Sequence, residues 1–209
     1  TNWVDQTSSR LFYTITAAEN LPIFLSHISN AFAEAPPPKQ GFFIKPDRAF
    51  NEWWVQHKRL PPIPPGHVIP VLSAMQGHPE SPRLWEKHAD EILRDIGLTP
   101  TVHEPCLYSG HINGQRILFM RQVDDFAIAA PDAHTADVLL DMLGDKISIP
   151  IKRQGRLDMY NGIDVLQTRH YIRLSCTSFI DKISEKYLFT WMKHMYALST
   201  RPTPFPTDS

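Results

Sequence analysis

The sequence predicts a mixed α/β fold in which an antiparallel sheet packs against helices. Three observations predict it. Two strand–turn–strand patterns follow one another between Cys106 and Ala130. A helix with a broad apolar face, Leu84 to Ile96, precedes them, and a second helical pattern begins after Asp132. The 209 residues are enough to bury a core without disulfide or metal staples.

The elements read in order as follows. Residues 8–19 are helical, with Leu11, Ile15 and Ala18 on one side. Leu21 to Ile28 is a strand, and Gly41 to Lys45 another, in a lobe inserted after Phe32. Ser81 is placed to cap the next helix, Pro82 suits its first position, and Gly97 stops it. Leu84, Trp85, His88, Ala89, Ile92, Leu93 and Ile96 form its apolar face, with His88 read as a packed residue. Cys106–Tyr108 and Ile117–Met120 flank Asn113-Gly114, a favoured tight turn. Ile117–Val123 and Phe126–Ala130 flank Asp124-Asp125. Asp132 caps a helix that runs to Leu143 and ends at Gly144, with Val138, Leu139, Met142 and Leu143 inward. Ile147–Ile151, Leu157–Leu166 and Tyr171–Leu174 are strand-like. Thr177–Met195 is a helix with Ile180, Ile183, Tyr187 and Trp191 on one stripe, followed by an extended tail at Arg201–Pro206.

Composition narrows the function classes. Lys+Arg is 21 and Asp+Glu is 22, a net charge of -1, which excludes a uniformly basic nucleic-acid coat. The charge is uneven: residues 146–201 carry ten basic and four acidic side chains, residues 1–145 eleven and seventeen. A metal-binding lobe beside a polyanion-binding one fits this split, and so do two ordinary solvated surfaces. Two cysteines exclude a disulfide scaffold. No apolar run is long enough to span a membrane and no signal peptide is visible, so the expected location is intracellular, cytoplasmic or nuclear. The lack of a start methionine fits a piece of a longer chain. Eleven of the 19 prolines lie between Pro36 and Pro82, where Pro36-Pro37-Pro38 and Leu60–Gly66 favour extended geometry. Such runs serve as rigid connectors or as ligands for a proline-reading module. Trp53-Trp54 could cover this lobe or stack on a base. His103 with Cys106 has a zinc-finger spacing but no second pair.

Asp124-Asp125 is the sharpest chemical feature. Adjacent carboxylates can hold divalent cations that act on phosphate, and an exposed hairpin tip is the plain alternative. Here the pair sits between two apolar strands, in Met120-Arg121-Gln122-Val123-Asp124-Asp125-Phe126-Ala127-Ile128. Arg121, one arm away, faces either solvent or a phosphate.

The ordered series Asn30-Ala31-Phe32, Gln76-Gly77 with Ser81-Pro82-Arg83-Leu84-Trp85, Glu104–Tyr108, Val123-Asp124-Asp125 and Asn161-Gly162-Ile163-Asp164-Val165 resembles the reverse transcriptases of Ty1/copia-type retrotransposons. The resemblance covers the chain from about Arg10 to Tyr187. It implies an α/β (α+β) polymerase palm with an antiparallel sheet, packed helices, partial fingers and a truncated thumb. Residues 1–175 then hold partial fingers and palm, with the proline-rich insertion at 36–82, and residues 176–209 the start of a thumb or connection and an extended tail. The implied activity is RNA-directed DNA polymerisation with Mg2+, or Mn2+ in its place, on an RNA or DNA template–primer duplex with dNTPs. By the same resemblance Asp124 and Asp125 are catalytic metal ligands. Phe32 sits beneath the incoming sugar, Gln76 and Gly77 touch the incoming nucleotide, and Asn161–Val165 precedes a primer-supporting hairpin. The basic cluster Lys152, Arg153 and Arg156 is the expected nucleic-acid contact.

One departure stands out. The family's first catalytic aspartate falls four residues before the Ala-Phe pair, and that position is His27. An imidazole brings no negative charge and cannot bridge two metals as a carboxylate does. Asp5, Glu19 and Glu34 lie nearby in sequence without occupying that position. Three functions follow: a nucleotidyltransferase impaired by His27, a non-catalytic nucleic-acid-binding remnant, or an interaction domain using the proline-rich lobe.

Overall fold

In the computed structural model, which describes residues 4–188, the first helix starts where the sequence supplies a cap. The Asp5 carboxylate accepts from the backbone N–H groups of Thr7 and Ser8, at 2.7 and 3.0 Å, and α1 runs Gln6–Ala18. Its buried side differs from the expected Leu11/Ile15/Ala18 stripe. Phe12, Tyr13 and Thr16 are buried, whereas Leu11 is 54% exposed. Two aromatic rings bury more apolar area than the aliphatic stripe, and Thr16 satisfies its hydroxyl by donating to the Phe12 carbonyl at 2.7 Å.

The chain divides after Leu157 into two compact units. The first contains a six-stranded antiparallel sheet in the order β4-β5-β6-β7-β1-β8. Its strands are β1 (Ile23–Ile28), β4 (Thr99–Pro100), β5 (Leu107–Ile112), β6 (Gln115–Gln122), β7 (Asp125–Ala129) and β8 (Ile151–Arg156). The short strands β2 (Phe43–Ile44) and β3 (Ile69–Pro70) pair in the inserted lobe. There, α2 (Arg48–Trp53) continues as a π-helical turn, Trp54–Lys58. Asn51 clamps the proline run by two hydrogen bonds to the Ile63 backbone, at 2.8 and 2.9 Å. Trp53 and Trp54 lie against Phe50 along this helix, and Trp53 stays 42% exposed.

Helix α3 (Ser81–Asp95) lays Trp85, Ala89, Ile92 and Leu93 on the sheet, and α4 (Ala133–Gly144) adds Leu139, Leu140 and Leu143. These helices share one core with Phe24, Ile28, Ile117, Phe119, Phe126 and Ile128. The alternate strand residues Ile23, Leu118, Met120, Ala127 and Ala129 are also buried but fall outside that cluster, on the opposite face, where α1 meets β6. Gly97 ends α3 with φ +95°, and Asp132 caps α4 through Thr135 N–H at 2.7 Å.

Ser81 has a different task from capping. It is the first helical residue, and its buried hydroxyl donates to the Met75 carbonyl at 2.6 Å and accepts from Met75 N–H at 3.0 Å. The expected strand Ile147–Ile151 begins only at Ile151, because Pro150 has no N–H and Ser148 gives its own to Glu34 at 2.9 Å. The expected strand Leu157–Leu166 is broken at Asn161-Gly162, whose φ values of 50° and 76° make a two-residue turn. The second unit therefore holds β9 (Met159–Tyr160), β10 (Ile163–Gln167) and β11 (Ile172–Ser175) in the order β11-β10-β9, followed by α5 (Thr177–Ile183). A π-helical stretch, Ser184–Leu188, continues α5 and leaves Ile180, Ile183 and Tyr187 exposed. Trp191 and the Arg201–Pro206 tail lie outside the described residues. Among the described residues no helix is long and apolar enough to cross a membrane.

The buried Trp85 indole donates to the Val123 carbonyl at 2.7 Å, across 38 positions of sequence. Trp85→Phe strands that carbonyl, at a cost of about 1–3 kcal/mol for the lost partner alone. The expected outcome is a lower denaturant midpoint with an unchanged m-value.

Candidate functional site

The site begins with strand register. In β1, Phe24 and Ile28 point into the helix-side core, so His27 points to the opposite face. Across the sheet His27 pairs with Lys152 on β8 and with Asp125 on β7, and Asp125 pairs with Gln122 on β6. Lys152, His27, Asp125 and Gln122 thus form one row on one face. His27 Nδ1 donates to Asp125 Oδ1 at 2.8 Å and lies 4.0 Å from Asp124 Oδ2. The three residues can offer ligand atoms that all lie within 4.8 Å of one another. Their side chains are 27%, 46% and 39% exposed for His27, Asp125 and Asp124, so water reaches the cluster.

The turn that carries the carboxylates is Val123-Asp124, not Asp124-Asp125; Asp125 already belongs to β7. Val123 has φ +55°, a conformation costly for a β-branched residue. Three contacts hold it there. Trp85 takes the Val123 carbonyl, Ile28 N–H takes the Asp124 carbonyl at 2.9 Å, and the Val123 side chain packs on the core. The Gln122 side chain, next in the row, accepts from Val4 N–H at 3.3 Å, which brings the start of α1 to the edge of the site.

The remaining expected residues are placed in separate ways. Phe32 lies in a 3-10 turn, Ala31–Glu34, directly after β1 and packs against the core. Gln76 and Gly77 lie in an exposed loop, with Gly77 at φ +94°. The loop is anchored through Ser81 and through Ala74 N–H to the Ala35 carbonyl at 3.0 Å, so it shares an anchor with the Phe32 turn. The basic trio is divided. Lys152 shares the His27 face. Arg153 is paired with Asp137 at 3.0 Å and with Asp141, and Arg156 lies over the Phe24 ring at 5.8 Å.

Arg121 turns out to face neither solvent nor the carboxylates. It is 3% exposed on the helix side, with Nη2 3.8 Å from Cys106 Sγ, and it lines a cavity of about 380 Å³ beside Arg83, Glu86 and Tyr108. The register through the two-residue turn is the sequence signal that assigns it to that face. The role of Trp85 as holder of the turn has no such signal. Asp5, Glu19 and Glu34 do not join the cluster: Asp5 caps α1, Glu19 pairs with Arg116 at 2.6 Å, and Glu34 accepts from Ser148. His88 is half-buried with its ring 6.2 Å from that of Trp85, as a packed residue should be.

His103 is exposed and Cys106 buried, and the metal-capable cluster among the described residues includes neither. Burial pushes the Cys106 thiol up to about 11, against the lowering influence of Arg121. At pH 8 the native chain should alkylate at exposed Cys176 and spare Cys106 until denaturant is added; peptide mass mapping reads this directly.

The chain matches a family model described as reverse transcriptase (RNA-dependent DNA polymerase) over residues 3–200. It is also 28% identical over 147 residues to a transposon Ty5-1 protein of Saccharomyces cerevisiae. That alignment covers 69% of this chain and 47% of the yeast protein, so the chain spans about half of its relative.

Proposed function

The chain belongs to the reverse transcriptase (RNA-dependent DNA polymerase) family, and from that premise we propose that it is a Ty1/copia-type retroelement domain whose template-directed DNA synthesis is impaired by His27. In this reading the six-stranded sheet with α3 and α4 behind it is the polymerase palm. Asp124 and Asp125 are its surviving catalytic carboxylates, Phe32 lies beneath the sugar of a dNTP, and Gln76 and Gly77 contact the nucleotide. Residues 1–175 are partial fingers and palm, and the segment from residue 176 starts a thumb.

One observation carries the proposal. His27 stands in register opposite Asp125, with its imidazole 2.8 Å from that carboxylate, and it is the position that the resemblance gives to the first catalytic aspartate. When bound, paired magnesium ions would supply charge stabilisation for an in-line displacement at phosphorus. The residues present do not fit that pair. They offer two carboxylates and one neutral nitrogen, whereas magnesium takes oxygen ligands in near-octahedral order. A missing transition-state contact typically costs about 10²–10³ in rate. Primer extension on an RNA template, with magnesium and separately with manganese, tests the reading. The expected outcome is no extension, or a rate at least about 100-fold below that of His27→Asp. Robust extension by the unmodified chain that vanishes in Asp124→Ala would show that His27 does not impair it.

A non-catalytic nucleic-acid-binding role is the second reading, and the place of Lys152 favours it. Its side chain is exposed on an edge strand, in register with His27, and unlike Arg153 it has no ion pair among the described residues. Fluorescence anisotropy with a template–primer duplex should show weak binding that falls with salt, by about 0.9 log unit per log unit of salt for each phosphate contact. Lys152→Ala should lower that slope by about one contact, and Arg153→Ala by less, because Arg153 is already held by α4. Salt-independent binding would exclude phosphate contacts and favour an interaction role for the proline-rich lobe.

A further inference from the structure

We propose that His27, Asp124 and Asp125 form a single-ion site for a zinc-class transition dication, in place of a two-ion magnesium centre. The inference concerns the cluster on which the polymerase reading rests, but its readout is metal binding, so either can fail alone.

The donor set comes first. A neutral imidazole nitrogen with two carboxylate oxygens is a zinc-type ligand set, and a tetrahedral site built from three side chains keeps its fourth position for water. The half-exposure of all three side chains leaves room for that water.

Geometry comes second. Bonds of about 2.0–2.1 Å put tetrahedral ligands about 3.3 Å apart. The His27 nitrogen lies 2.8 Å from one carboxylate and 4.0 Å from the other, so its distances straddle that value. Small side-chain rotations close the set, and the imidazole hydrogen passes through solvent from Nδ1 to Nε2, so that the ring stays neutral and Nδ1 offers its lone pair to the ion. The donors are also held in position: Trp85 and Ile28 fix both carbonyls of the turn, and the β1–β7 ladder fixes His27 opposite Asp125.

Charge comes third. Two carboxylates neutralise one dication and leave nothing for a second. Lys152, paired with His27 across β8, adds positive charge on the same face and opposes a second ion further. Magnesium sheds water reluctantly and gains little from an imidazole, whereas zinc, cobalt and nickel accept nitrogen readily.

The test uses the full chain and cobalt as a visible probe, with zinc in competition. The expected result is one cobalt bound per chain with a tetrahedral absorption spectrum, displaced by zinc and untouched by a large excess of magnesium. The chain has ten histidines, so total uptake alone decides nothing. His27→Ala should therefore lose the signal by more than the about 10–100-fold that removing a mere supporting residue costs. His27→Asp should weaken the preference, so that a large excess of magnesium displaces cobalt. Both variants lie at a half-exposed position, and circular dichroism verifies that they fold. Displacement of cobalt by magnesium from the unmodified chain would overturn the proposal, as would an unchanged cobalt spectrum in folded His27→Ala.

Discussion

The pairing of β1 with β7 is the constraint on which the rest of the molecule depends. It sets Phe24 against Ile128 on the helix side and His27 against Asp125 on the other. Strand side chains alternate with period two, so a slip of one residue would bury His27 and expose Phe24 and Ile28. Each of those apolar side chains is worth about 1.5–3 kcal/mol when buried. The core under α3 and α4 therefore fixes the chemistry on the opposite face, and a polar cluster exposed to water needs no stabilising energy of its own.

The same core bears the cost of the Val123 turn. A left-handed β-branched residue costs about 1–3 kcal/mol, and each retained hydrogen bond returns about 1 kcal/mol. The Trp85 indole and the Ile28 amide supply two such bonds, and the packed Val123 side chain adds more. Strain at the tip is thereby balanced by contacts made from a helix and from a neighbouring strand. This couples the position of the carboxylates to α3, a helix that contributes nothing to the exposed face.

Much of this was legible from local rules. Asn113-Gly114 announced its turn, Asp132 its helix and Gly97 its stop, because each effect acts within a few residues. His27 was legible from its spacing to Ala31-Phe32. The failures arise where a local pattern admits two outcomes. Asn161-Gly162 is the same dipeptide as Asn113-Gly114, yet the apolar residues around it read as one continuous strand. Leu11, Ile15 and Ala18 make a proper helical stripe, but Phe12 and Tyr13 next to it are larger and win the buried side. Ser81 has a good capping side chain, and only the folded path of the Met75 loop gives it a better partner. Alternation alone separates Lys152 from Arg153, but placing Arg156 on the side of Arg153 needs the register shift between Leu25 and Ser26 opposite β8, which no nearest-neighbour pattern contains.

That irregularity also bears on how the sheet meets other molecules of its own kind. An open six-stranded sheet has two borders, and unpaired backbone groups there can recruit a strand from another chain. One border, β4, is only two residues long and includes Pro100, which has no N–H to offer. The other, β8, carries Lys152, Arg153 and Arg156, and its ladder with β1 shifts register midway, next to Gly155 at φ +80°. A straight, neutral β8 would be a template for intermolecular β-addition. The kinked one, with Lys152 exposed on it, disfavours pairing with a second copy of itself, so the irregularity that sets its register also guards the sheet against edge-to-edge addition.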